Sequence, residues 1–418
     1  MTSPKAGLTL CFTNGGMGMG KISGSAFLVV LLATGLALSS CRSSHGSTAT
    51  SAAPTTSTPT TSPPGGSAAP APAGSSVTAT ALAFVTNNGT GTIATYTVNN
   101  GELSAAPTTV TNIETSSSPR WITLNGGFAY VANMGFDDVS TYTVNQGALS
   151  AVPVSTTASI SGTSPNKIIL NSARTLAYVA NLAAGDVSTY AIDNGLFGTD
   201  PVRTTTPATG YYVAGIILSP SRHHLYAVYF SSSGSSGDGY VASYTATNGI
   251  PTSTPLSTTS VAPNINPMGI AISLSGQDIY VVNTGTGDIS TYVVANGVLS
   301  ANPVATTTPV NGSNPFIDAL DPSGNTLYVT NQGTGTVASY QLSNGLPAAT
   351  PLSTTNPISN SAPFCIVVGA RGHFVYVPNE GGDTLASYAI TNGVLSPDPV
   401  RTTTAVPGSG PLWIALAP

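Results

Sequence analysis

Little of this chain is charged. Asp, Glu, Lys and Arg together make up 6% of 418 residues, against about 25% in an average soluble domain. From residue 79 to the end, seven basic side chains stand against 15 acidic ones, a net charge of −8. A surface without a basic stripe excludes nucleic acid as a partner. Cysteine is nearly missing too: only Cys11, Cys41 and Cys365 occur, with no spacing that suits zinc or a disulfide framework. The longest apolar run, Ala26 to Leu38, is 13 residues, short of the roughly 20 that span a bilayer as a helix. No Gly-x-Ser-x-Gly elbow is present. The Gly-Thr-Gly triplets at Gly89, Gly285 and Gly333 open no helix, so they give no phosphate cradle.

What the chain has instead is a repeat. An aromatic-Val-x-Asn strand recurs at Phe84–Asn87, Tyr130–Asn133, Tyr178–Asn181, Tyr280–Asn283, Tyr328–Asn331 and Tyr376–Asn379, with a degenerate copy at Tyr226–Tyr229. The step is 48 residues in four of six intervals, a period that signals stacked supersecondary units. A second tyrosine follows in each unit (Tyr96, Tyr142, Tyr190, Tyr244, Tyr292, Tyr340, Tyr388). Next comes Asn-Gly, as at Asn100-Gly101, or Gln146-Gly147 in one unit. Asn-Gly suits a two-residue hairpin because both residues tolerate positive φ. A proline then recurs in all seven units, from Pro107 to Pro399, followed by Thr-rich stretches such as Thr204–Thr206. Proline and threonine together predict a solvent-facing edge strand. Before each aromatic strand runs another, with isoleucine three residues after its first residue: Ile122, Ile168, Ile216, Ile270, Ile366 and Ile414. The exception is Asp318.

Four strands per unit, seven times over, predict an all-β fold, a seven-bladed β-propeller of antiparallel sheets. The repeat begins on an orphan second strand at Ala83–Val85 and ends on an orphan first strand at Pro411–Leu416. The two are expected to pair and close the ring. The propeller is assigned to residues 79–418.

Residues 1–40 read as a targeting segment, with Met17 or Met19 as alternative starts and Lys21 before the apolar run. Leu38-Ser39-Ser40-Cys41 resembles a bacterial lipobox, which implies acylation of Cys41. Arg42, in place of an aspartate, implies outer-membrane sorting within the cell envelope. Residues 41–78 are rich in Ser, Thr, Pro and Ala and bury too little to order; they read as a flexible tether. A plain secretory signal is the simpler reading of the same residues. Cys365 is expected to pack as a small hydrophobe.

The units, with Pro-Arg-x-x-x-Leu at Pro119–Leu124, then Tyr-Val-x-Asn, then Gly-x-Leu-Ser as at Gly147–Ser150, resemble the seven-bladed lactonase-like propellers. That group includes 6-phosphogluconolactonase relatives and Tyr-Val-Thr-Asn repeat surface proteins. The resemblance implies a cofactor-independent lactone hydrolase with a Pro-His-x-His signature at the start of an inner strand. This chain departs from the signature. No inner strand starts with histidine; His223, His224 and His373 fall in turns on the opposite rim, and His45 in the tether. Arg120 alone carries over by position.

The rim where inner strands begin is the expected ligand site. It is expected to gather Arg120, Trp121, Lys167, Tyr211, Tyr212, Phe316, Phe364 and Trp413. These aromatics read equally well as packing between blades. Asp318, a carboxylate in an isoleucine slot, must be hydrogen-bonded, paired or neutral; it reads as a catalytic acid or as a satisfied structural one. Aspartates before third strands (Asp137, Asp138, Asp186, Asp288, Asp383) are turn formers rather than calcium ligands, and no metal is expected. Two functions follow. The first is an envelope lipoprotein, expected to be a monomer, whose rim binds a protein, peptide or glycan. The second is a secreted lactonase acting through Arg120 with Lys167 or Asp318.

Overall fold

Seven Asn-Gly or Gln-Gly pairs set the pattern, because each forms the hairpin it predicts. Asn100 and Gly101 take φ of 52° and 85°, and the other six pairs follow, including Gln146 and Gly147 at 50° and 82°. Positive φ at both positions twists the turn in the same sense as the strands it joins. The computed structural model describes residues 81–113, 115–159, 161–206, 208–233, 238–261 and 265–417. The expected targeting segment, Cys41 and the expected tether lie outside the described residues.

The described strands form seven antiparallel sheets, the blades of a propeller. In chain order they are blade II (119–156), III (165–204), IV (211–260), V (267–306), VI (315–354) and VII (363–404), while blade I combines 81–112 with 411–417. The inner strand of each pairs with the Tyr-Val-x-Asn strand, and that strand with the third. The fourth, outer strand comes in two short pieces, both on the third strand. In blade I these are Glu102–Leu103, opposite Val98 and Asn99, and Thr109–Asn112, opposite Thr92–Thr95. The recurring proline, expected within the edge strand, sits in the break between the pieces, as Pro107 does here. It lacks a donor and cannot continue the ladder.

The aromatics of both repeats are core. Tyr130, Tyr178, Tyr226, Tyr280 and Tyr328 of second strands are buried, as are Tyr96, Tyr142, Tyr292 and Tyr388 of third strands. Each is worth on the order of 2 kcal/mol in removed apolar surface. The motif asparagines tie the rim turns. Asn133, Asn181 and Asn283 donate to Asp138, Asp186 and Asp288 at 2.6–2.7 Å. These aspartates therefore serve turns, and among the described residues no cluster of three potential metal-ligating acids, histidines or cysteines occurs. Cys365 is fully buried beside Tyr376, Leu385 and Ile414.

The ends meet as expected. Pro411–Ala417 pairs antiparallel with Ala81–Asn87, setting Phe84 opposite Ala415 and Thr86 opposite Trp413. Removing residues 411–418 should lower the thermal midpoint and broaden the unfolding transition far more than deleting eight residues within 41–78. Calorimetry checks this, and equal melting of the two truncations would refute ring closure.

Candidate functional site

Every regular inner strand begins with a bulge. In blade II, Pro119 faces Asn133 and Trp121 faces Ala132, which leaves Arg120 as an extra residue without a cross-strand partner. The same shift isolates Asn166, Ala214, Met268 and Leu412 in blades III, IV, V and I. In blade VI it spans Phe316 and Ile317. A bulge re-aims its extra side chain. Here the re-aimed residues share one end of the central channel, because all inner strands run the same way around the ring.

Arg120 is the centre of this layer. It is 8% exposed. Its Nε donates to Asn166 Oδ1, and Asn166 Nδ2 donates in turn to the Ala214 carbonyl at 3.0 Å. Three consecutive blades are thereby linked. Arg120 Nη1 also contacts Met134 Sδ at 3.9 Å. The guanidinium carbon lies 5.0 Å from the Phe364 ring centroid, and Phe364 meets Phe316 at 4.8 Å. Burial lowers the Arg120 pKa to about 10, and the Glu380 carboxylate opposes the shift. It remains a cation at neutral pH.

Lys167 stands one residue deeper in blade III. Its Nζ lies 5.2 Å from the Trp121 ring centroid, and Trp121 stacks on Trp413 with centroids 3.2 Å apart. Trp121 Nε1 donates to Thr123 Oγ1 at 2.8 Å, and that hydroxyl donates to the Ile168 carbonyl at 2.8 Å. The tryptophans thus fasten blades I, II and III together. Desolvation lowers Lys167 to a pKa of about 8, and the Asp318 carboxylate pulls the other way.

Asp318 completes the set. Neither of its carboxylate oxygens accepts a hydrogen bond from another residue. The carboxylate lies against Gly269 of blade V, where a β-carbon would come within 2.9 Å of Oδ1. The strand is irregular just before it: Ile317 N donates to the Thr330 hydroxyl at 3.2 Å rather than to the ladder. Desolvation raises Asp318 to about 7, with Lys167 opposing. The two residues are three blades apart and do not touch. Among the described residues the sole ion pair is Arg401–Glu102, at 2.8 Å. A lysine and a carboxylate face each other across the channel, beneath a buried arginine, with no direct bridge.

The structure therefore brings Arg120, Trp121, Lys167, Phe316, Asp318, Phe364 and Trp413 into one region. Tyr211 and Tyr212 belong elsewhere. They extend the inner strand of blade IV beyond the rim, Tyr211 against Tyr240 at 4.9 Å and Tyr212 against Phe230 at 5.4 Å. The reason is the insertion after Ser231, which lengthens this blade's hairpin, so Tyr211 pairs with Ser231 and Tyr212 with Phe230. Three residues of the site escaped sequence reasoning. Asn166 was hidden because a bulge leaves no trace in an alternating pattern. Met134 and Glu380 each follow a motif asparagine by one residue, and that offset was the signal available.

A seven-bladed ring of this connectivity defines a class, and the chain belongs to it: the family described as "Lactonase, 7-bladed beta-propeller" matches residues 122–233 and 228–418. No curated protein matches the sequence significantly. Among solved structures, the chain is similar to a proposed 6-phosphogluconolactonase of Bacteroides fragilis at 16% identity and a TM-score of 0.66, covering 83% of this chain and 100% of that one. It is similar to another from Bacteroides uniformis at 16% identity and a TM-score of 0.67, covering 81% and 99%. The periplasmic gluconolactonase PpgL of Pseudomonas aeruginosa gives 16% identity and a TM-score of 0.64, covering 81% and 99%.

The unpartnered carboxylate carries a pH signature. Asp318 is raised from 3.8 to about 7, so between those values the folded chain holds a proton that the unfolded chain has released. Its contribution to stability therefore falls as pH rises through that window. Lys167, lowered from 10.5 to about 8, acts in the opposite sense, and its contribution rises between about pH 8 and 10.5. Asp318→Asn should melt progressively higher than the parent as pH climbs from about 4 to 7. Parallel melting curves across that range would show that the carboxylate is not desolvated.

Proposed function

We propose that this propeller is a lactone hydrolase acting at the channel mouth, rather than a passive binding module. The observation that carries the reading is Asp318, a buried carboxylate that no other residue donates to, held in an isoleucine slot opposite Lys167 and below Arg120. A buried unpaired ion destabilises a fold, and strongly perturbed acids and bases cluster at functional sites. Membership of the lactonase family and the gluconolactonases among similar structures support the same chemistry.

The roles follow from charge. Ionised Asp318 takes a proton from a water whose oxygen attacks the lactone carbonyl carbon. The negative charge that develops on the carbonyl oxygen is met by Arg120, held by Asn166 and Phe364 so that it need not reorient. The ring C–O bond then breaks. The leaving alkoxide takes a proton from the Lys167 ammonium; Asp318 then releases its proton to solvent and Lys167 takes one up, and the product is a hydroxy acid. No step calls on a histidine, which accounts for a lactonase-like chain without the family's His signature. A sugar lactone is the substrate class proposed, because the mouth presents cations beside aromatic rings.

We also propose export and anchoring through Cys41. The apolar run Ala26–Leu38 with Cys41 behind it and the periplasmic location named for the Pseudomonas protein support that reading. Cys41→Ser should move the chain from the membrane to the soluble fraction; retention in the membrane would refute acylation there.

A pH-stat assay over γ- and δ-lactones tests the activity. The expected rate is bell-shaped, with an acidic limb near 7 from Asp318 and an alkaline limb near 8 from Lys167, values that belong to the interacting pair. Arg120→Ala should cost about 10²–10³ in kcat, the usual loss of an oxyanion donor. Turnover of no lactone in the panel, or full turnover by Arg120→Ala, defeats the proposal.

A further inference from the structure

Each inner strand runs from the channel mouth to the opposite rim and turns back there into the second strand. The hairpins of blades III to VII share one turn with a positive-φ slot. Glycine fills that slot in three of them: Gly276, Gly324 and Gly372 take φ of 75°, 73° and 69°. Arginine fills it in the other two, with Arg174 and Arg222 at φ of 58° and 64°. A residue with a β-carbon is strained in this region. Strain kept where neighbouring blades use glycine implies a use for the side chain itself. Blade VII keeps its glycine but places Arg371 directly before it. All three arginines are exposed, and none is in an ion pair, since the sole pair among the described residues is Arg401–Glu102.

The two rims differ in charge. The five aspartates that precede third strands, together with Asp238 and Glu380, lie at the channel-mouth rim, whose cations Arg120 and Lys167 sit within the channel. At the opposite rim most carboxylates are occupied. Asp321 Oδ1 accepts from the backbone N–H groups of Asn325 and Thr326 at 2.7 and 2.8 Å. Asp278 is pressed against the Gly345 turn, and Asp193 stands exposed at the periphery. The same rim exposes aliphatic side chains. Leu274, within the blade V hairpin, is 61% exposed, and Leu196, Val298, Leu346 and Val394 each follow a hairpin glycine into water. In blade I the chain ends take the place of the hairpin, with Leu82 opposite Ala417. Whatever precedes Ala81 therefore joins the propeller at this rim.

We infer that this rim docks on an anionic phospholipid bilayer. Arg174, Arg222 and Arg371 meet lipid phosphates, for which the guanidinium fork is suited, and the exposed aliphatics enter the headgroup boundary. Cations combined with apolar side chains on one surface are what interfacial binding requires. The acidic rim is repelled by the same lipids, so the channel mouth faces away from the membrane, open to substrate. The inference goes beyond hydrolysis. It rests on the export proposed above only to bring the chain to a membrane; the contact itself does not involve Cys41.

Arginine footprinting tests it. The full chain is treated with phenylglyoxal, free and at saturating lipid on vesicles of phosphatidylcholine with or without phosphatidylglycerol, and modified sites are read by mass spectrometry. With phosphatidylglycerol, Arg174, Arg222 and Arg371 should react about fivefold more slowly than in the free chain, the worth of one arginine–lipid contact. High salt should restore their rates. Arg203, exposed on the outer strand of blade III, should keep its rate throughout. Pure phosphatidylcholine should protect none of them. The double variant Arg174→Gly/Arg222→Gly adopts the residue of the neighbouring turns, so it should fold, and Arg371 should regain its free rate in it. Cys41→Ser should give the wild-type footprint, which separates docking from acylation, read independently by membrane fractionation. Equal protection of Arg203, protection without anionic lipid, or unchanged protection of Arg371 in the double variant overturns the proposal. So does slow modification of the three arginines in the lipid-free chain, which would assign the rim to the acidic face of a second copy.

Discussion

The ladder between Ala81–Asn87 and Pro411–Ala417 is the interaction on which the rest depends. A blade buries its faces only against its neighbours, so an open arc of seven would leave two apolar faces and two strand edges in water. Pairing the chain ends removes both. The closure also reaches the site directly. Thr86 Oγ1 accepts from Trp413 N at 3.0 Å and donates to the Arg120 carbonyl at 3.3 Å. Trp413, brought by the last strand, then stacks on Trp121, and Trp121 lies under the Lys167 ammonium. The geometry of both channel cations thus follows from a contact between the two ends of the chain.

Closure leaves a narrow axis into which seven strand starts converge, and Arg120, Lys167 and Asp318 are buried there. Elsewhere neutral side chains tie the outer strands to their blades. Val139, Val187, Ile289 and Val337 each donate a backbone N–H to a threonine hydroxyl of the outer edge. Such neutral networks cost little to bury when complete. Arg120, Lys167 and Asp318 are the contrary case. Desolvation is the largest influence on all three, and the one hydrogen-bonded member, Arg120, is held by a neutral amide rather than a counter-ion.

Repetition made much of this readable in advance. Seven copies let each slot be compared with six others, so Asp318 stood out against isoleucine without any structure, and the orphan strands at the two ends declared their pairing. The hairpins followed from Asn-Gly chemistry alone. Reading failed where an extra residue broke the alternation. The bulges that turn Arg120 and Asn166 into the channel have no compositional mark, and the proline expected inside an outer strand instead divides it. Tyr211 and Tyr212 were misplaced for a related reason. A lengthened hairpin moved them off the shared rim, and the repeat offered no second copy from which to see the shift.

By itself, then, the sequence determined the number of blades, the order of strands within each, the turns that join them and the one slot that carries an acid. These are matters of local conformation and period, and local chemistry is sufficient to specify them. Which side chains share the channel was decided by tertiary structure. Lys167 and Asp318 lie 151 positions apart in sequence, on blades III and VI, and they influence each other only because a closed ring turns both strand starts toward one axis, where water is too scarce to screen them.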